Sequence, residues 1–294
     1  MIGSFYMRQL KDSEEDKIIN ESFILQKCKE LLNEAEIKKP PIDPEILASF
    51  CDIKRIIEEN IKEAGILIPL PGGGAEIYLR KQDNRNRKRF TCCHEIVHTF
   101  FPDYQLKPQQ RVDREVGEYQ KDNWREYLCD FGASELLMPS FLFQPQLPKM
   151  RPTINSLIDL SNKFESSIEA TAIKIVRQNP QKTAVVIWEE KYKPMEKVFE
   201  YLSPLPGFEK YKPQKKLRVK FGYGFENIGY IPKDKSLEET ENIILESFVK
   251  KKKQTGLEKI NFGNFNVKCE VQTLPLEYHD QIRVLSLLYI NKGR

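Results

Sequence analysis

The chain has 294 residues, of which 40% are hydrophobic and 31% charged, with a formal net charge of +4. That balance describes a soluble globular protein and excludes a disordered chain, and the net charge is too small to argue nucleic-acid binding by itself. Neither Met1 to Lys17 nor any later segment is apolar enough for a signal peptide or a spanning helix, so the expected address is the cytoplasm.

The length allows two or three compact units. The six cysteines, Cys28, Cys51, Cys92, Cys93, Cys129 and Cys269, include no CxxC pair and read as reduced thiols. Basic clusters at Lys81 to Arg89, Lys212 to Lys220 and Lys250 to Lys253 could meet phosphates, although such runs are ordinarily solvated faces.

In chain order, residues 14 to 35 place Ile18, Ile19, Phe23, Ile24, Cys28, Leu31 and Leu32 at helical spacing, which predicts an amphipathic helix ending before Pro40 and Pro41. Asp43 and Pro44 then read as an N-cap and first-turn proline opening a short helix to about Cys51. Three extended segments follow, Ile53 to Ile61, Gly65 to Leu70 and Ala75 to Arg80, with a turn at Pro71 to Gly74. They predict a small antiparallel sheet in which Ala75 to Arg80 is a candidate edge strand for an extended substrate.

Helices are expected from about Arg89 to Phe101, stopped by Pro102, and from about Asn123 to Met138, stopped by Pro139. After a proline-rich connector, Thr153 to Gln178 reads as two short helices broken near Glu165 and Ser166, with Ser167 as an N-cap, a helix-turn-helix pattern. From Thr183 onward the texture favours strands at Ala184 to Trp188, Val198 to Leu202, Leu217 to Tyr223, Val267 to Leu274 and Ile282 to Ile290, with one helix at about Ser236 to Lys251.

The chemistry concentrates in Arg89-Phe-Thr-Cys-Cys-His-Glu-Ile-Val-His98, which contains HExxH. On a helix His94 and His98 stand one turn apart, about 6 Å along the axis, so both imidazoles can reach one ion. Glu95, turned about 100° around the helix, is better placed to touch a metal-bound water than the metal. The plain alternative is an inert helix whose histidines pack or cap. Downstream, Glu126 and Asp130 share one helix face. Their spacing resembles the glutamate-zincin arrangement, in which the glutamate is the third zinc ligand and the residue four later orients a zinc-bound histidine; otherwise Glu126 is an ordinary surface ion pair.

The HExxH segment followed by Glu126-Tyr-Leu-Cys-Asp-Phe-Gly-Ala-Ser-Glu-Leu-Leu-Met-Pro139 resembles the signature of the ImmA/IrrE metallo-endopeptidases. The resemblance covers about residues 20 to 180, taking in the N-terminal helix, proline, helix and sheet layout and the helix-turn-helix at Leu157 to Val176. It implies a zincin-like metallopeptidase domain at 1–145 and a helix-turn-helix segment at 146–181, while the strand-rich texture after Thr183 reads as a separate C-terminal α+β domain at 182–294, which in some relatives is GAF-like and sensory; the expected fold class is α+β. By motif position it implies zinc held by His94, His98 and Glu126, with Glu95 as general base and Asp130 behind a histidine. It departs from the family pattern at Cys93 and Cys129, where alanine is frequent, at Val97, where glycine is common, and at Gly132, near a usual phenylalanine. Val97 and Gly132 imply repacking between the two helices, and the two thiols are either packing or redox-sensitive neighbours of the metal.

The function implied is a zinc-dependent endopeptidase that cleaves a helix-turn-helix repressor, switching on stress or mobile-element genes. Two rivals stand beside it: a DNA-binding regulator with a vestigial or structural metal, and a broad-specificity peptidase. The helix-turn-helix segment could contact DNA or the repressor, or buttress the catalytic unit. His279, the remaining histidine, reads as a surface or structural residue.

Overall fold

The computed structural model describes residues 20–106, 108–111, 124–148, 151–178, 182–197, 213–237, 242–278 and 281–290. His279 and the expected Val198 to Leu202 strand lie outside them. The chain divides into two compact units: Met1–Met150 with Ile158–Thr171, and Arg151–Leu157 with Ala172–Arg294. Among the described residues no helix is long and apolar enough to cross a membrane.

The first unit opens with helix α1 (Glu21–Glu34), capped by Asn20, whose side chain accepts from the Phe23 amide at 3.1 Å. Helix α2 (Pro44–Phe50) begins as expected, with Asp43 accepting from the Glu45 amide at 3.0 Å and proline in the first turn. Strands β1 (Ile53–Glu59), β2 (Gly65–Pro69), β3 (Ala75–Arg80) and β4 (Gln109–Arg111) form a sheet in the order β1-β3-β2-β4.

Two expectations are corrected here. The sheet is mixed, because β1 runs parallel to β3. Strand β3 is central rather than an edge, since β1 takes one side and the antiparallel β2 the other. Ala75, Ile77 and Leu79 lie on one face of β3 and are buried, as the period of two in a strand requires.

Helix α3 (Arg85–His98) starts four residues earlier than the pattern predicts, because Asn84 caps it by accepting from the Arg87 amide at 3.0 Å. Its first turn carries no acid, so the basic run sits at the positive end of the helix dipole. Carboxylates from elsewhere offset this: Lys88 meets Glu58 at 2.6 Å, Arg87 meets Asp83 at 3.3 Å, and Arg85 and Arg89 meet Glu165 at 2.9 and 3.4 Å. The cluster is therefore partnered by acids rather than presented as a bare phosphate-binding face.

Helix α4 (Trp124–Leu137) packs on α3 and against α1. The close approach of α3 and α4 depends on Gly132: a Cβ there would lie 2.8 Å from Val97 and 2.9 Å from Ile24. The bulk of Val97 fills the space that Gly132 leaves, which is the repacking that the two departures imply.

Helices α5 (Ile154–Phe164) and α6 (Ile168–Gln178) form the helix-turn-helix, broken at Glu165 in the left-handed region (φ 48°), with Ser167 capping α6 through the Ala170 amide at 3.1 Å. Within the first unit the turn is tied to α3, because Asn86 donates to the Ser166 carbonyl at 3.3 Å and Arg89 to the Glu165 carbonyl at 3.3 Å.

The second unit is built on an antiparallel sheet, order β6-β5-β9-β8-β7, from β5 (Thr183–Lys191), β6 (Lys216–Gly224), β7 (Thr255–Asn261), β8 (Asn266–Tyr278) and β9 (Gln281–Tyr289). One face buries Val186, Trp188, Val219, Val271, Val284 and Leu288. Helix α7 (Ile243–Lys250) is shorter than expected: Asn242 caps it, and Ser236 instead bridges to Arg218.

Candidate metal centre

Every residue of α3 from Thr91 to His98 is buried, so the HExxH face looks into protein rather than solvent. The His94 and His98 rings stand 5.0 Å apart between centroids at 69°. Glu126, in the first turn of α4, brings Oε2 to 3.3 Å from His94 Nε2 and Oε1 to 3.4 Å from His98 Nε2. Donors bound at about 2.0 to 2.1 Å around a tetrahedral zinc lie about 3.3 Å from one another, so the three groups are spaced as one coordination sphere demands.

Among the described residues neither Nε2 atom has a hydrogen-bond partner, and the same holds for both carboxylate oxygens of Glu95. Leaving a buried polar atom unsatisfied costs about 1 to 3 kcal/mol. Two bare imidazole nitrogens facing a carboxylate form a donor set suited to a borderline-soft divalent cation.

The opposite ring nitrogens are held from α4. Asp130 Oδ1 lies 2.7 Å from His94 Nδ1, and Cys129 Sγ lies 3.5 Å from His98 Nδ1. Glu126, Cys129 and Asp130 stand at i, i+3 and i+4, so one helix face supplies a donor between the two Nε2 atoms and a partner behind each ring.

The electrostatics follow from burial. Burial alone would lower the His94 pKa, but Asp130 and Glu126 overcome it and raise it to about 9. His98, buried and beside His94, is pulled down to about 3. Burial raises Glu95 to about 8, so without a cation its carboxyl holds a proton near neutrality. Burial also holds the Cys129 thiol well above its usual range.

Residues 56–176 match the IrrE N-terminal-like domain. The radiation response metalloprotease IrrE of Deinococcus deserti is 32% identical over 94 residues, which are 31% of this chain and 32% of that protein. Over this segment the chain is similar to the ImmA/IrrE family. The chain thus matches about a third of the length of that curated relative. A Mycobacterium tuberculosis transcriptional regulator superposes with a TM-score of 0.52 at 10% identity, over 91% of this chain and 76% of that one, a likeness of fold alone.

Within this IrrE-like segment two contributors escaped the sequence reading. Arg111 on β4 donates to Thr91 Oγ1 at 3.0 Å and lies 3.4 Å from Asp130 Oδ1. Gly65 on β2 lets the sheet approach α3: a Cβ there would fall 2.4 Å from Thr91 Cγ2 and 2.8 Å from Glu95 Oε1. Cys129 also changes meaning. His94, His98 and Cys129 each offer a donor atom within 4.8 Å of the other two, so the thiol competes with Glu126 for the place of third ligand. Glu126 faces both bare Nε2 atoms, whereas Cys129 touches the far nitrogen of one ring.

Proposed function

We propose that the first unit is a zinc-dependent endopeptidase of zincin-like, gluzincin type, with His94, His98 and Glu126 as metal ligands and Glu95 as general base. The observation that carries this reading is the meeting of two Nε2 atoms with the Glu126 carboxylate at 3.3 and 3.4 Å, beside a Glu95 carboxylate that has no hydrogen-bond partner among the described residues. The curated relative is named a metalloprotease, which supports the same activity here.

A zinc ion bound by these residues supplies Lewis acidity toward a peptide carbonyl. Glu95, one residue along the helix from His94, accepts a proton from the attacking water and delivers it to the departing amine. Asp130 accepts from the Nδ1–H of His94 and so leaves Nε2 as the donor. Strand β4, the outer strand beside β2, is the candidate to pair with an extended substrate in place of the central β3.

The substrate we favour is a helix-turn-helix repressor in the cytoplasm, whose cleavage switches on stress or mobile-element genes. A DNA-reading role for Thr153 to Gln178 is disfavoured. A recognition helix must offer its N-terminal residues to base edges. At the N-terminus of α6, Ile168 to Thr171, no residue is exposed, and Glu169 and Thr171 are buried. Together with the ties from Asn86 and Arg89 to the turn, this supports a buttress for the catalytic unit. The second unit is compatible with a GAF-like sensory domain.

The test is to incubate the zinc-loaded chain with the repressor encoded beside it, with Glu95→Gln as control. The expected result is one cut in the repressor and a loss of about 10²-fold or more in the control, which keeps its zinc. Digestion of casein-like substrates at many sites would favour a broad peptidase, and full activity of Glu95→Gln would remove that residue as base.

A further inference from the structure

The Arg111 side chain is only 11% exposed, yet it projects from a three-residue strand toward the helix that carries HExxH. Its place is fixed from several directions. The backbone pairs with β2, and just before that strand the Ala64 amide donates to the Arg111 carbonyl at 2.9 Å. The guanidinium lies over the Phe90 ring at 5.0 Å and donates from Nη1 to Thr91 Oγ1 at 3.0 Å. Its Nη2 then stands 3.4 Å from Asp130 Oδ1, the same oxygen that meets His94 Nδ1 at 2.7 Å. The residue opposite Arg111 on β2 is Gly65, whose missing side chain leaves Thr91 room beneath the strand.

We propose that Arg111 is a positioning residue for the metal centre, holding Asp130 so that His94 carries its proton on Nδ1 and presents Nε2 to the cation. The proposal rests on the metal-site reading above. A carboxylate oxygen shared between a guanidinium and an imidazole N–H has a fixed direction and accepts from both. Without Arg111, Asp130 keeps the imidazole but loses the guanidinium that shares its Oδ1, and the ring gains freedom to tilt or to change tautomer. Groups behind a metal-bound histidine are commonly worth about 10 to 100-fold in metal affinity.

The full chain is compared with Arg111→Gln, Arg111→Lys, Asp130→Asn and the Arg111→Gln/Asp130→Asn double variant. Zinc affinity is read by competition with a chromophoric chelator, and ring-nitrogen NMR reports the tautomer, a tractable measurement with three histidines in the chain. Arg111→Gln is expected to weaken zinc about 10 to 100-fold and to diminish the Nδ1–H signature of His94, while Arg111→Lys recovers much of both. The double variant is expected to lose little more than Asp130→Asn, because the two residues act through one interaction. If Arg111→Gln lowers only the melting temperature of the metal-free chain, with zinc affinity and tautomer unchanged, the proposal is overturned. Additive losses in the double variant would overturn it too. Should Arg111→Gln not fold, Arg111→Lys decides alone: affinity and ring signals identical to the parent, with a lowered melting temperature, would count against it, whereas a partial loss of both would support it. Failure of the unaltered chain to take up zinc would instead sink the metal-site reading itself.

Discussion

The division of labour among single atoms is sharpest at Glu126 and Cys129. Both come from one face of α4, but the carboxylate stands between two Nε2 atoms while the thiol sits behind the His98 ring at 3.5 Å. Elemental analysis of purified variants should therefore find Glu126→Ala largely zinc-free, and Cys129→Ala near the zinc content of the parent. The opposite ranking would make the thiol the third ligand. This part of the site was legible because helical geometry converts spacing into shared faces: His94 with His98, and Glu126 with Asp130. Arg111 was not legible, since its distance from α3 is set by the pairing of β4 with β2, and no local pattern records that pairing.

Among the elements, the contact between α3 and α4 sets how closely the ligands meet. A Cβ on residue 132 would come within 2.8 Å of a Val97 methyl, and a branched side chain on a buried helix has little room to yield. Gly132→Ala should therefore destabilise the chain by about 1 to 3 kcal/mol despite alanine's higher helix propensity. Val97→Ala in the same chain should recover part of the loss; chemical denaturation of the metal-free proteins checks both, and a stabilised single variant would show that the helices adjust freely. Capping residues located α2 and the helix-turn-helix break, and proline stops located the ends of α3 and α4, but pairing order was harder to read. Strands next to each other in sequence suggest a hairpin, and β2 with β3 obeys; β1 skips past β2 to lie parallel with β3, which adjacency does not disclose. Strand β7 also escaped notice, because its inward positions are Gly256, Glu258 and Ile260 while Leu257 faces outward, 63% exposed, so burial alternates without a matching alternation of apolar residues.

At the level of the whole molecule, the two units invite separate probes, since of two tryptophans Trp124 lies in the first and Trp188 is buried in the second. In the second unit Glu189 pairs with Lys220 at 3.0 Å and with Arg283 at 2.5 Å. Burial pushes its pKa up, but the two cations outweigh burial and hold it below the ordinary carboxylate value. The folded state therefore binds this proton less readily than the unfolded chain does. Its contribution is complete above the unfolded value of about 4.3 and is lost as pH falls through the lower folded value. Urea unfolding followed by Trp188 fluorescence in a Trp124→Phe background should show Glu189→Gln less stable at neutral pH. The difference should shrink on acidification, and a gap independent of pH would remove the charge as its cause.

The proposed activity depends on one cation being shared by two imidazoles and a carboxylate, and X-ray absorption at the zinc edge addresses that most directly. With stoichiometric zinc bound to the full chain, the nearest shell should contain only nitrogen and oxygen at about 2.0 to 2.1 Å. A sulfur scatterer at about 2.3 Å, or zinc bound far below one equivalent, would contradict the assignment of His94, His98 and Glu126 as the metal's protein ligands.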